Sequence, residues 1–204
     1  MESSWPRSRR AFADAAERFV SMAAAVGDRW DQPGLGDWDV RALVGHTSRA
    51  LLTGETYLAR PAAAVDVPTA VEYFRKAKVA AAGPDVTARG RDAGTALGAD
   101  PVSAVAEIVG RVVPLVDAQS GTELVTTIAG GMRLEDYLPT RTFELAVHTA
   151  DLATALDVPP RVPPTAAAQA LEIIAGLAVE DGLAGPLLLA STGRPGLPAG
   201  WTVL

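Results

Sequence analysis

Arg141, Glu144, His148 and Asp151 sit three or four residues apart and form the most chemically capable cluster in the sequence. Residues 141–151 contain no Gly or Pro, and Phe143, Leu145, Ala146 and Val147 supply apolar surface, so the stretch reads as helix. A helix turns about 100° per residue, which puts positions three and four apart on one face. A carboxylate and an imidazole one turn apart, here Glu144 and His148, can hold a divalent cation between them. A third ligand from elsewhere would complete a three-ligand site that keeps one coordination position open for water or substrate. The same pair also reads as a solvated, salt-bridged helix face. The apolar neighbours favour an inward stripe, because buried charge is costly unless it is paired or bound to metal.

The chain has two histidines, and the other is His46. It lies in a second amphipathic stretch, with Leu43, Val44, Ala50, Leu51 and Leu58 as the apolar stripe and Arg49 and Thr53 following on its own side. By itself His46 reads as a core or boundary histidine or as a ligand. Arg49 and Arg141 each read as a receiver for a carboxylate, whose geometry a guanidinium fork matches, or as a surface pairing residue. Asp151 reads as an acceptor for an imidazole N–H or as a helix-end carboxylate.

The totals exclude several function classes. There is no cysteine, so disulfides, Cys-ligated zinc and a protein thiol nucleophile are ruled out. Net charge is −6, which argues against a nucleic-acid footprint, since that needs a clustered basic face. The first residues lack the apolar core of a signal peptide, and no apolar run reaches membrane-spanning length. The expectation is a soluble, cytoplasmic protein without nucleic-acid or membrane partners. Hydrophobic residues make up 49% but aromatics only 5%, so the core must be built from Ala, Val and Leu on closely packed helices.

The elements that would position the cluster follow from caps and breakers. Pro6, after Ser3 or Ser4 as cap, opens a helix to about Val26 with Phe12, Ala15, Phe19, Met22 and Ala23 inward. Pro33, Gly34 and Gly36 make residues 30–38 a loop whose Trp30 and Trp38 lid one end of the core. Asp37 or Asp39 caps the His46 helix, which spans about 40–58. A helix over 69–82 is broken at Gly83-Pro84. Residues 85–98 read weakly as helix because of Gly90, Gly94 and Gly98, and are the expected mobile stretch or lid. Asp100-Pro101 opens a helix to about 119, kinked at Pro114. β-branched residues on either side of Ala129-Gly130-Gly131 predict a hairpin, and Thr140 is the expected cap of the central helix. Beyond the prolines at 159–164, residues 165–181 predict a helix with Ala168, Leu171, Ile174, Ala175 and Ala178 inward. Leu187-Leu188-Leu189 predict a short helix, and Trp201 pins the tail. Residues 1–157 are expected to form the bundle and 158–204 a proline-rich linker with a small helical extension packed on it. The Ala-rich helices also offer a surface through which two copies could pair as a homodimer.

Two motifs carry a resemblance. Residues 37–47 (DWDVRALVGHT) resemble a W-x-V-R-x-L-x-x-H helix, and residues 140–152 (TRTFELAVHTADL) resemble an R-x-x-E-x-x-x-H-x-x-D-L helix. Together they resemble the mycothiol-dependent maleylpyruvate isomerases, within the wider DinB-like superfamily of metal-binding four-helix bundles. The resemblance implies a mainly all-α fold of that type, with His46, Glu144 and His148 as ligands to a divalent metal, usually zinc. No catalytic residue is implied beyond the metal site, and Arg49, Arg141 and Asp151 stand behind it or contact substrate. The function implied is activation of a low-molecular-weight thiol, mycothiol or another, for isomerisation of a small electrophilic substrate or S-transfer to it. The alternative is a non-catalytic bundle that binds metal or a small ligand. Isomerases of the family often carry a larger C-terminal domain resembling sterol-carrier proteins, for which the residues after 156 are too few; a transfer reaction or an uncharacterised activity is therefore more expected than maleylpyruvate isomerisation.

Overall fold

In the computed structural model, residues 4–81, 85–195 and 197–204 are described. The expected Ser3 cap and Gly83-Pro84 break lie outside them. Eight helices and two small hairpins follow in order: α1 (Ser4–Ala24), β1 (Pro33–Leu35), β2 (Trp38–Asp39), α2 (Val40–Leu58), α3 (Ala70–Ala81), α4 (Asp85–Ala96), α5 (Pro101–Asp117), β3 (Leu124–Thr127), β4 (Gly130–Arg133), α6 (Leu134–Ala155), α7 (Pro164–Glu180) and α8 (Ala184–Ser191).

Helices α1, α2, α5 and α6 close a ring in which each packs against two others, α1 and α2 both meeting α5 and α6. This is the four-helix bundle that the apolar periodicity predicts. Its core is built from Phe12, Ala16 and Phe19 of α1, Leu43, Val44 and Leu51 of α2, Val105 and Val112 of α5, and Leu145 and Leu152 of α6. Side chains at the helix starts satisfy N–H groups that lack partners within the helix. Asp39 accepts from the Ala42 N–H at 2.7 Å, Thr69 from Glu72 at 3.1 Å and Asp100 from Ser103 at 3.1 Å. At the opposite ends, Arg29 donates to the carbonyls of Val26 (3.1 Å), Ala25 (2.7 Å) and Leu156 (2.9 Å), closing the C-termini of α1 and α6 with one guanidinium.

The segment expected as a loop over residues 30–38 instead pairs β1 with β2 as a short antiparallel hairpin, Pro33 opposite Asp39 and Leu35 opposite Trp38, and four further expectations change. The central helix begins at Leu134 rather than at Thr140 and runs through Pro139. Proline forfeits one N–H donor, but Leu134, Tyr137 and Leu138 are buried, and ending the helix there would lose that packing. The start of α6 is held instead by backbone: Leu134 N–H donates to Glu123 (2.8 Å) and Glu135 N–H to Gly121 (2.9 Å). Thr140 lies inside the helix, its hydroxyl donating to the Tyr137 carbonyl at 2.7 Å.

Residues 85–96 form a regular helix, and their glycines are its contact surface. A Cβ on Gly45 of α2 would lie 2.1 Å from the Gly94 backbone nitrogen, and one on Gly90 would meet the Trp38 ring at 2.4 Å. Glycine lowers intrinsic helix propensity, but here it lets α4 approach α2 backbone to backbone.

The hairpin turn is Ile128-Ala129, with Gly130 opening β4 at a φ of +123°. The loop after α2 lies along its edge, Thr126 N–H donating to Arg60 at 2.7 Å and Ala62 N–H to Leu124 at 3.0 Å.

Helix α7 packs against α1 and α6 through Ala166, Gln169, Ala170, Ile173, Leu177 and Ala178; of the expected stripe Ala178 is buried and Ile174 half-buried, whereas Ala168 and Ala175 are exposed and Leu171 is 61% exposed. Apolar residues lie on every side of this helix, so periodicity could not choose a face. The buried hydrogen bond from Gln169 to Ser8 (2.9 Å) fixes the observed one.

Candidate metal centre

His46, Glu144 and His148 converge. One donor atom from each lies within 4.8 Å of the others, and the two imidazoles meet edge to face with centroids 4.8 Å apart. Glu144 and His148 come from consecutive turns of α6, and His46 faces them from α2. The two helices meet through apolar neighbours of the ligands, Leu43, Ala50, Leu145 and Ala146 among them, all buried. Buried hydroxyls beside the site do not compete for it: Thr47 and Ser48 donate back to the carbonyls of Leu43 (2.7 Å) and Val44 (2.9 Å).

Three observations test whether these residues fit a divalent ion. First, His148 Nε2 and Glu144 Oε2 are 3.3 Å apart, close to the edge of a tetrahedron with bonds of roughly 2.0–2.1 Å. Second, His148 Nδ1 lies 3.0 Å from Asp151 Oδ2, the carboxylate partner that fixes a ligating imidazole's tautomer and orientation. Third, His46 Nδ1 is buried without a hydrogen-bond partner among the described residues. Two nitrogens and one carboxylate oxygen are a donor set that zinc and similar ions accept. The residues fit.

The electrostatics without an ion are strained in opposite senses. Burial and the neighbouring His148 hold His46 down to about 4, so it stays neutral. Burial acts against the charged form of His148 as well, but hydrogen bonds to Asp151 and Glu144 outweigh it and raise its pKa to about 9. Burial would raise the pKa of Glu144; its hydrogen bond to His148 and the charges of Arg141 and the histidines bring it below the usual carboxylate value. The site therefore holds one carboxylate ready to ligate and a proton where a cation would otherwise sit.

All six residues singled out by sequence lie in this region. Asp151 reaches His148. Arg49 and Arg141 line a cavity of about 470 Å³ together with His46 and Glu144. Arg141 does not pair at the surface: it is 7% exposed, donates from Nε to Thr140 Oγ1 (3.0 Å) and from Nη2 to Tyr73 Oη (3.2 Å), and stacks over Tyr137 and Tyr73.

Sequence reasoning missed Trp38 and the tyrosines as parts of the site. Trp38 is more than a lid: its ring stacks on His46 with centroids 4.4 Å apart, and its Nε1 donates to the Thr87 carbonyl at 3.0 Å, fixing it between α2 and α4. Its place immediately before the His46 helix was the available signal. Tyr57, Tyr73 and Tyr137 are far apart in sequence, and only the fold clusters them.

Among the described residues no helix is long and apolar enough to cross a membrane. No curated protein and no solved structure matches the chain. A family model described as the mycothiol maleylpyruvate isomerase N-terminal domain matches residues 10–153, which spans both ligand-bearing helices. The chain belongs to the mycothiol maleylpyruvate isomerase N-terminal domain family.

Proposed function

We propose that the protein is a divalent-metal enzyme, with zinc as the metal, that activates a small thiol for S-transfer to an electrophile or for its isomerisation. The observation that carries this reading is the convergence of His46, Glu144 and His148, the first two of which line a cavity large enough for a small molecule. Such an ion supplies Lewis acidity, lowering the pKa of a thiol so that thiolate is present at neutral pH. The chain has no cysteine, so the thiol comes from outside. Membership of the family favours mycothiol.

The protein's own groups have separate tasks. An ion would be held by the ring nitrogens of His46 and His148 and by the Glu144 carboxylate, His148 giving up its extra proton as the ion binds. Asp151 would accept a hydrogen bond from His148 Nδ1–H when an ion is held, leaving the Nε2 lone pair to ligate it. Trp38 covers one face of His46 and keeps water from that side. Three protein ligands would leave such an ion a coordination position open to an incoming thiol.

The test is metal analysis of purified protein, followed by cobalt substitution and titration with mycothiol. The reading requires about one ion per chain, lost in Glu144→Gln and His148→Ala, and a cobalt spectrum that changes as thiol is added. Loss of neither ion nor spectrum change in the variants removes the metal site from the mechanism. An ion that binds while no thiol perturbs the cobalt spectrum turns the reading into that of a non-catalytic metal-binding bundle.

A further inference from the structure

The cavity beside the metal ligands carries more positive charge than the fold uses. Its lining includes Arg49 of α2, Lys78 of α3, Arg89 of α4 and Arg141 of α6, against one acidic side chain, that of Glu144. The chain as a whole is acidic, at −6. No hydrogen bond or ion pair to an acidic side chain holds Arg49, Lys78 or Arg89 among the described residues.

Arg141 is the informative member. Its guanidinium is buried, yet its two hydrogen bonds, to Thr140 and Tyr73, are both to neutral oxygens. Among the described residues Nη1 has no hydrogen-bond partner, and Arg141 is one of the residues that line the cavity. A buried charge without a hydrogen-bonded counter-ion is costly. Tyr73 accepts from Arg141, which leaves its own hydroxyl proton free to donate. Burial raises the Tyr73 pKa, so that proton stays on the oxygen. Nη1–H and the Tyr73 O–H thus form a two-pronged donor set suited to a carboxylate. Phe74, Val86, Ile128 and Leu204 give the cavity apolar wall, beside Thr53 and Tyr57.

We propose that this cavity binds a small carboxylic acid with an apolar body, its carboxylate on Arg141 and Tyr73 and its body against Phe74, Val86, Ile128 and Leu204. Arg49, Lys78 and Arg89 draw the anion to the mouth. As the seat of the electrophile, this subsite rests on the metal and thiol reading above; as an acid-binding cavity it does not.

Calorimetric titration with 3-phenylpropionate, its methyl ester and propionate, on metal-free and on zinc-treated protein, tests it. None of the three reacts with a thiol, so binding alone is read. The acid should bind both forms, and the ester and propionate should each bind about tenfold more weakly or worse, the one lacking charge and the other the apolar body. Raising salt should weaken the acid alone. Tyr73→Phe should weaken acid binding about fivefold to tenfold and leave the ester unchanged, and Arg141→Gln should cost about tenfold to a hundredfold. Tyr73→Phe keeps the ring packing, so it reads the donor even if Arg141→Gln does not fold. Ester binding equal to acid binding, no acid binding, or full acid affinity in Tyr73→Phe overturns the proposal. Acid binding to a protein that takes up no zinc removes the metal reading and leaves this subsite standing; zinc uptake without acid binding does the reverse.

Discussion

The indole of Trp38 lies against the imidazole of His46, their centroids 4.4 Å apart and their planes tilted by 34°. One residue from a short hairpin thus sets the orientation of a ligand on the following helix. Trp38→Leu removes the stack and the bond to the Thr87 carbonyl. It should cost about 2–4 kcal/mol of stability and about tenfold to a hundredfold in metal affinity. Thermal melts of the metal-free protein and competition with a chromophoric chelator read the two losses separately.

Asp151 holds His148 without lining the cavity itself. Asp151→Ala frees the ring to rotate, and metal affinity should fall about tenfold to a hundredfold while phenylpropionate binding to the metal-free protein is unchanged. A parallel loss of acid binding would show that Asp151 acts on the whole site.

Gly45 precedes His46 at the closest approach of α2 and α4. A methyl group there would come 2.1 Å from the Gly94 nitrogen, which is backbone and cannot rotate away. Gly45→Ala should destabilise the protein by roughly 1–3 kcal/mol through overpacking, and weaken metal binding by displacing His46. Gly110→Ala, inside α5 where an added Cβ meets nothing within 4 Å, should leave metal binding unchanged and stabilise the protein by about 0.5–1 kcal/mol through helix propensity.

Glu123 supports the start of α6 by organising the loop before it. Its carboxylate accepts from the N–H groups of Ser120 and Gly121, both at 2.8 Å, and from the Ser120 hydroxyl at 2.8 Å. Partial burial pushes its pKa up, but these bonds outweigh burial and hold it below 4.5. A carboxyl whose folded pKa is depressed contributes stability above its unfolded value, lost as pH falls through the folded one. Glu123→Gln should therefore cost about 1 kcal/mol at pH 7, the small figure reflecting its exposure to solvent. The gap to the unmodified protein should close as pH drops below 4.5. Urea melts at pH 7 and pH 3.5 measure it.

The convergence of His46, Glu144 and His148 was legible through the two motifs that carry the family resemblance, in which the two histidines of the sequence stand. The helix starts at Asp39, Thr69 and Asp100 were legible because their caps are local chemistry. What escaped was decided by tertiary packing. Pro139 reads as a stop, and only the burial of Tyr137 and Leu138 carries α6 through it. Gly90 and Gly94 read as weakness, and only the approach of Trp38 and Gly45 makes them necessary. The buried face of α7 turned on one Gln169–Ser8 contact that no periodicity contains. Arg141 was recognised as a polar member of the stripe, but its tyrosine surroundings come from three separate segments.

Arg29 gives the bundle a fixed datum. Because one planar cation closes the ends of both α1 and α6, sliding α6 along its axis by a single residue's rise, about 1.5 Å, would pull the Leu156 carbonyl off its donor. Tension on the polypeptide beyond Leu156 is thus borne at that clasp, and the spacing of the imidazoles a turn or two upstream is insulated from it.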